Sequence, residues 1–230
     1  MRVKSVHGAI YDRCLIMTRY RHIIWDWNGT LLDDAQACVE VLNEILARRG
    51  RGPVSYEQYR EDFDFPVKDY YSRIGFDFTV EPYEELAQEY IKAYRKRQFQ
   101  CRLHAGAENT LRSCLEMGLT QSILSAYQQD LLEEITGFFG IKELFVRLAG
   151  LDDHYAHSKL DNGRKLLAEL CLKGPEVLLV GDTLHDRQVA KEIGTDCVLI
   201  CNGHHPRHRL QCSGVQLLNC LAEVPLLLNE

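Results

Sequence analysis

The sequence predicts an α/β fold in which a doubly wound parallel sheet carries a helical cap domain inserted after the first strand. From Arg21 onward, short apolar runs alternate with amphipathic segments. The runs are continuously apolar, which is typical of strands that are buried on both faces beneath helices. The region 35–100 differs, because it has helical periodicity and no convincing strand. This region is the predicted helical cap.

Five apolar runs are the predicted strands of the sheet, at residues 22–25, 119–124, 144–148, 177–180 and 197–201. Four amphipathic segments between them are predicted helices, at residues 107–117, 128–138, 162–172 and 185–193. A glycine or a Gly-Pro pair follows each predicted helix closely, as is common at helix C-termini. This alternation of strand and helix favours parallel strands.

The chain therefore divides into a core of residues 17–34 and 101–230 and a helical cap of residues 35–100. Residues 1–16 have no clear hydrophobic period, and Met17 stands just before the first strand. We expect them to be a disordered extension or a misassigned start.

Composition excludes several classes of protein. The net charge of -6 argues against a protein that coats nucleic acid or an anionic membrane. No apolar run reaches the roughly 18 residues that a membrane span needs, and the N-terminus lacks a signal-peptide pattern. The 9 cysteines are odd in number and contain no C-x-x-C pair, which favours reduced thiols and a cytoplasmic location.

Four short polar elements follow predicted strands, at the edge where an open α/β sheet binds its ligand. Alone, each is a weak signal, because an acid at a strand end is commonly a turn former or a helix cap. Their order along one sheet makes the combination specific. The elements are Asp26 to Thr30, Ser125, Lys159, and the GDTLHD segment that contains Asp182 and Asp186.

These residue types suit phosphoryl transfer. That reaction needs an oxygen nucleophile in line with the leaving group, a hard cation, and donors for the remaining phosphate charge. Asp26 can attack phosphorus, and the carboxylates of Asp182 and Asp186 are ligands that Mg²⁺ prefers. Gly29 lets backbone N–H groups approach an anion closely.

The strand followed by D-x-D-G-T, then Ser or Thr, then Lys, then G-D-x-x-x-D resembles the haloacid dehalogenase-like hydrolase superfamily, in its phosphoglycolate-phosphatase-like branch with a helical cap. The resemblance covers residues 22–225. It implies a Mg²⁺-dependent phosphatase that hydrolyses a small phosphomonoester through an aspartyl-phosphate. It also implies a small phosphorylated metabolite as partner, without nucleic acid or membrane, and a monomer or homodimer.

The resemblance also implies roles for individual residues. Asp26 is the implied nucleophile, and Asp182 would bind Mg²⁺ together with Asp26 and the Asn28 backbone carbonyl, with Asp186 anchoring the ion. Ser125 and Lys159 would hold the phosphate. Gly29, Thr30 and Ala126 complete the phosphate-binding set.

Asn28 departs from the family pattern, because this position normally carries a second acid that protonates the leaving oxygen and then activates water. An amide does neither. Three hypotheses follow: a slow phosphatase, a phosphatase that uses another acid such as Asp33, Asp34 or a cap residue, and a protein that binds a phosphate ester or a protein partner with little turnover. The family's dehalogenase and phosphonate-cleaving branches also change this position, but to residues other than Asn.

Lys68 and Arg73 in the helical cap are candidate contacts for an anionic substrate, and ordinary surface or core packing is the alternative. His204, His205 and His208 are expected in an exposed loop near the ligand crevice, and a contact to the phosphate and a metal site are the alternatives. Because a cleft lysine contributes little to a core, Lys159→Met is expected to remove activity and leave thermal stability nearly unchanged.

Overall fold

A computed structural model of the chain describes residues 18–151 and 159–229. The predicted extension, residues 1–16, lies outside the described residues. In the described part, no helix is both long enough and apolar enough to cross a membrane.

Six parallel strands form the main sheet in the described residues, and a two-stranded antiparallel pair lies beside it. The strands are β1 His22–Trp25, β2 Leu32–Asp33, β3 Arg102–Leu103, β4 Thr120–Gln128, β5 Arg147–Leu151, β6 Val177–Gly181, β7 Asp196–Ile200 and β8 Gln216–Leu218. The order in the main sheet is β5-β4-β1-β6-β7-β8, and every pairing in it is parallel.

Helices cover both faces of this sheet, because successive side chains of a strand point to opposite faces. In β1, Ile23 and Trp25 join one apolar cluster and Ile24 joins another. The helices are α1 Ala35–Arg48, α2 Tyr56–Asp62, α3 Val67–Arg73, α4 Tyr83–Arg97, α5 Ala107–Glu116, α6 Gln129–Phe138, α7 Lys159–Leu170, α8 Leu184–Ile193, α9 Arg207–Leu210 and α10 Val224–Leu227. Helices α5, α6 and α10 pack against the first cluster, and α7 and α8 against the second.

The helical cap consists of α1 to α4, and it has its own aromatic core. Tyr59, Tyr70, Tyr71 and Phe76 are buried there with aliphatic residues of α1. Ser55 begins α2 with a reciprocal capping box, in which its side chain accepts from the Gln58 backbone N–H and Gln58 accepts in return.

The ligand crevice lies at the point in the sheet from which the strand connections lead in opposite directions. The connection after β1 leads to β4 on one side, whereas β6 lies on the other side of β1 and leads on to β7. Open α/β sheets bind ligands at such a switch point, at the carboxyl ends of the strands. Asp26 and Asp182 follow β1 and β6 directly.

The predicted fold class is confirmed, and the differences from the sequence prediction are local. Strand β4 continues past its predicted end, with a register shift against β5 between Leu124 and Gln128, so Ser125 lies within the strand instead of after it. Strand β8 was not predicted, because it has three residues and begins with a polar glutamine.

Candidate active site

The carboxylate of Asp26 stands at the carboxyl end of β1, at the centre of the sheet. Its backbone N–H donates to the Val180 carbonyl oxygen over 2.8 Å, which continues the pairing of β1 with β6 beyond the strand end. Its side chain is buried. Burial raises the pKa of Asp26, Lys159 opposes that shift, and the charges of Asp186 and Asp182 add to it.

Lys159, the first residue of α7, joins the two acidic elements. Its ammonium group donates to Asp26 Oδ1 and, over 2.5 Å, to Asp186 Oδ1. The lysine is only 5% exposed, so this is a buried ion-pair triad. Burial acts to raise the pKa of Asp186, but the Lys159 charge and hydrogen bonds from Lys159 and Thr183 lower it to about 2.

Asp182 is fully buried between two Asn-Gly turns. Its Oδ1 accepts from the Thr30 hydroxyl over 2.8 Å, and its Oδ2 accepts from the His204 backbone N–H over 2.6 Å. Gly29 has φ +78, and a Cβ there would lie 2.4 Å from Asp182 Oδ2; a Cβ on Gly203 would lie 2.1 Å from the same atom. Only glycine fits at these two contacts.

Asp26, Asp182 and Asp186 bring three carboxylate oxygens within 4.8 Å of one another in a buried setting. Hard oxygen donors at this spacing fit a Mg²⁺ ion, which prefers carboxylates. Among the described residues, Lys159 forms ion pairs with Asp26 and Asp186, and Asp182 accepts from the Thr30 hydroxyl and the His204 backbone N–H. One lysine thus faces a group of three carboxyl side chains. The donor set therefore suits a divalent cation.

Asn28 has both of its amide hydrogens engaged within the protein. Its Nδ2 donates to Asp34 Oδ2 over 2.8 Å and to the Tyr94 hydroxyl over 2.9 Å. Tyr94 in turn donates to Asp34 Oδ2 over 2.5 Å. The amide oxygen, an acceptor, is the atom that remains for a ligand. An ionised acid at position 28 would be repelled by Asp34, so the amide matches this neighbour electrostatically.

Asp34 is a hydrogen-bond acceptor and not a suitable proton donor. It is 1% exposed and also accepts from the Gly29 backbone N–H. Burial acts to raise its pKa, but hydrogen bonds from His204, Tyr94 and Asn28 and the His204 charge lower it. Asp33, the other candidate acid from the sequence, is exposed on β2.

His204 and His205 are buried, so the expectation of an exposed loop was wrong for both. His204 Nδ1 lies 2.9 Å from the Tyr59 hydroxyl and its Nε2 lies 3.5 Å from Asp34 Oδ1. Burial lowers the pKa of His204, but Asp34 and the other nearby carboxylates raise it to about 9. His208 is exposed, as expected.

A cavity of about 340 Å³ opens beside these groups, between the sheet edge and the helical cap. We call the sheet side of this cavity the acidic end. It is lined by Asp26, Asn28, Ser125, Ala126, Lys159 and Asp186. We call the other side the aromatic end. It is lined by nine aromatic side chains among the described residues: Tyr59, Phe63, Phe65, Tyr70, Tyr71, Tyr83, Tyr90, Tyr94 and Tyr127.

Four residues predicted to bind substrate do not line the cavity. The Gly29 backbone N–H is directed at Leu32 O and Asp34 Oδ1, and the Thr30 hydroxyl at Asp182, so both support the loop and the metal-type cluster. Lys68 lies over the rings of Phe78 and Tyr83. Arg73 lies over the Tyr70 ring and donates to the Asp62 backbone oxygen. The two cap cations therefore belong to the packing of the helical cap.

Sequence reasoning missed Gly203, which contacts Asp182, and Tyr94, which holds Asn28. It placed His204 near the crevice but did not predict its contact with Asp182. A signal was available for Gly203: the Asn202-Gly203 pair follows strand β7, just as Asn28-Gly29 follows β1. Nothing in the local sequence distinguishes Tyr94 from the other tyrosines of the helical cap.

The described residues form a doubly wound α/β protein with a buried carboxylate, a lysine and a cluster of three acidic side chains at the sheet edge. The family model of haloacid dehalogenase-like hydrolases matches residues 23–200. The chain belongs to this family. The resemblance inferred from the sequence is therefore confirmed.

Among curated relatives, N-acetylmuramic acid 6-phosphate phosphatase of Pseudomonas aeruginosa is 25% identical over 193 residues, covering 82% of this chain and 85% of the relative. Phosphoglycolate phosphatase of Rhodobacter capsulatus is 24% identical over 186 residues, covering 79% and 84%. A haloacid dehalogenase-like hydrolase of Streptococcus pneumoniae has a similar fold, with a TM-score of 0.80, 18% identity, and coverage of 92% of this chain and 99% of that one. The chain is thus an enzyme of the phosphatase group of this family, a phosphoric monoester hydrolase.

Proposed function

We propose that this protein hydrolyses a small phosphomonoester with the help of Mg²⁺, through an aspartyl-phosphate on Asp26. The observation that carries the proposal is the contact of Lys159 with both Asp26 and Asp186 at the carboxyl end of the sheet. A buried carboxylate, a cation and an acidic cluster thus lie at one end of a cavity, and this arrangement supports the proposal. The named phosphatases among the relatives support the same chemistry.

In this proposal Asp26 attacks phosphorus, which splits the displacement into two easier steps. An ammonium group has three donors, and carboxylates of the described residues use two of those of Lys159, so in this proposal the third donates to a phosphate oxygen. The Ser125 oxygen accepts from the Tyr127 backbone N–H over 3.0 Å, which leaves its own hydrogen for the phosphate. Asp182, Asp186, Asp26 and the Asn28 carbonyl would hold Mg²⁺, which when bound neutralises charge on the phosphate oxygens.

The test is a panel of phosphorylated metabolites assayed with Mg²⁺, including phosphoglycolate, a sugar phosphate and phenyl phosphate. Asp26→Asn keeps the shape of the side chain and removes the nucleophilic carboxylate. We expect it to lower turnover by roughly 10³-fold or more. An Asp26→Asn protein as active as the parent would contradict the proposal.

The second candidate function is binding of a phosphorylated metabolite or a protein partner with little turnover, and Asn28 is the observation that favours it. General acid–base catalysis is worth about 10²–10⁴-fold, and neither Asn28 nor its neighbour Asp34 is suited to supply it. Without a group that donates a proton to the leaving oxygen, hydrolysis of the ester is slow.

Exchanging the two side chains separates these alternatives. Asn28→Asp alone would place two carboxylates in the present 2.8 Å contact between positions 28 and 34. The double variant Asn28→Asp, Asp34→Asn keeps one carboxylate and one amide and moves the acid to the cavity. If Asn28 limits catalysis, we expect the double variant to hydrolyse phenyl phosphate about 10-fold faster or more.

Asp34→Asn alone is the matched control, since it changes the same pair without adding an acid at position 28. Intact-mass spectrometry of the parent protein must show that Asn28, which precedes a glycine, has not deamidated. If the undeamidated parent protein has high activity and the double variant is no faster, another group transfers the proton.

A further inference from the structure

We propose that the substrate of this site is a phosphomonoester whose leaving group is uncharged and aromatic, and not a hydroxy acid or an acidic sugar. The inference rests on the proposed function for the phosphate end of the molecule. It adds the chemical class of the leaving group, which is the part of the substrate that the cavity encloses.

The described residues that line the cavity offer no unpaired cation to the leaving group. Lys159 is the one lysine or arginine among them, and it is held by Asp26 and Asp186 at the acidic end. His204 also lines the cavity, but its two ring nitrogens lie against the Tyr59 hydroxyl and Asp34. Glu84 lines the cavity at the helical cap. A carboxylate on the leaving group would therefore lose its hydration and meet a like charge, which is costly without a partner.

Three tyrosines of the aromatic end use their hydroxyl groups in hydrogen bonds within the protein. The hydroxyl of Tyr94 is bonded to Asp34, that of Tyr59 to His204, and that of Tyr127 to Gln98 over 2.6 Å. Because the polar ends of these three residues are used within the protein, they offer their rings to the cavity. Among the described residues, the buried Tyr70 hydroxyl has no hydrogen-bond partner, so it remains for a neutral polar group of the ligand. Ring faces and edges favour another aromatic ring through offset or edge-on packing.

The volume of the cavity also fits a substrate of this class. The cavity of about 340 Å³ falls within the usual range for small-ligand sites. A closed apolar cavity of about 150 Å³ already accepts benzene. The space beside Asp26 is thus adequate for a phosphate and a ring together.

Two stable phosphonates test this inference by binding, without any need for turnover. Benzylphosphonate replaces the bridging oxygen of phenyl phosphate by a methylene, and 3-phosphonopropionate does the same for phosphoglycolate. Calorimetry with the parent protein in Mg²⁺ should show benzylphosphonate binding more tightly by roughly 10- to 100-fold, as expected for an apolar group that enters an apolar pocket. Equal or reversed affinities would overturn the inference.

A charge placed in the cavity wall should reverse this preference. Gln88 of α4 lines the cavity and is exposed to solvent. Gln88→Lys therefore adds a cation to the cavity wall without disturbing the core. We expect it to tighten 3-phosphonopropionate by about 5-fold or more, and not benzylphosphonate. Glu85→Gln changes the net charge equally on an exposed residue outside the lining and should leave both affinities as they are.

The outcomes separate the inference from the proposed function. Tight benzylphosphonate binding by a protein that hydrolyses no ester would support the substrate class and reject the hydrolase. Hydrolysis of phosphoglycolate in preference to phenyl phosphate would support the hydrolase and reject the aromatic substrate.

Discussion

The acidic end and the aromatic end of the cavity are stabilised by different interactions. At the acidic end, Asp26, Lys159 and Asp186 form directional, charged contacts, and each depends on its partner. At the aromatic end, rings pack on rings, as where Tyr59 meets Tyr70 edge-on at 5.9 Å. Packing of this kind tolerates small changes, whereas a buried charge that loses its partner is strongly unfavourable. The two ends should therefore respond very differently to a change of similar size.

The largest effect is expected from Lys159→Met, which removes the cation of the acidic end. We expect activity to fall by about 10³-fold, in the range for loss of a preorganised electrostatic group. Because Lys159 is buried between two carboxylates, we also expect the free energy of unfolding without Mg²⁺ to fall by about 3–5 kcal/mol. The structure thus replaces the sequence-based expectation of unchanged stability. Chemical denaturation and a phosphatase assay measure the two effects.

Lys165→Met is the control for this variant, because Lys165 is exposed on the same helix, α7. It should change stability by no more than about 0.5 kcal/mol. An equal loss of activity from both substitutions would show that Lys159 has no special role.

Mg²⁺ should stabilise the acidic end measurably. At a concentration 100 times its dissociation constant, a ligand of the folded state raises the free energy of unfolding by about 2.7 kcal/mol. Asp182→Asn should remove most of this response, and chelation should abolish phosphatase activity in the parent. Denaturation curves with and without Mg²⁺ that coincide for the parent would contradict a metal site at Asp182.

The smallest effects come from a matched pair in which each variant loses one hydroxyl. Thr30→Val removes the hydrogen bond to Asp182 and should weaken Mg²⁺ by about 10- to 100-fold, as for other groups that orient metal ligands. Tyr83→Phe keeps the ring that packs edge-on against Phe78 at 5.4 Å. It should change activity by less than about 3-fold.

Titrating activity against Mg²⁺ concentration compares the two variants. Similar Mg²⁺ dependence in Thr30→Val and Tyr83→Phe would remove the distinction between the two ends of the cavity.

The elements that the sequence predicted well are those whose pattern is local. Strand β1 was predicted at its observed bounds, since its four residues are continuously buried and are followed directly by Asp26. Asp182 was likewise predicted at the end of β6, because that strand is also a continuously buried run. Ser125 was placed after its strand because the register shift that prolongs β4 depends on pairing with β5. His204 and His205 were expected in an exposed loop, but contacts with Tyr59 and Phe63 of the helical cap bury them.

The sequence alone determined the fold class, the family and the order of the polar residues along the sheet edge. Strand periodicity and motif spacing depend on residues that are close together in the chain, so they can be recognised without the structure. The tertiary structure alone decided what those residues contact. Asn28 meets Tyr94 from α4, and His204 meets Tyr59 from α2 and Asp34. Burial, pKa and hydrogen bonding depend on groups that are distant in the chain and adjacent in space. For that reason the sequence could show that the usual acid is missing at position 28, and the structure was needed to show that Asp34 and Tyr94 hold the amide in its place.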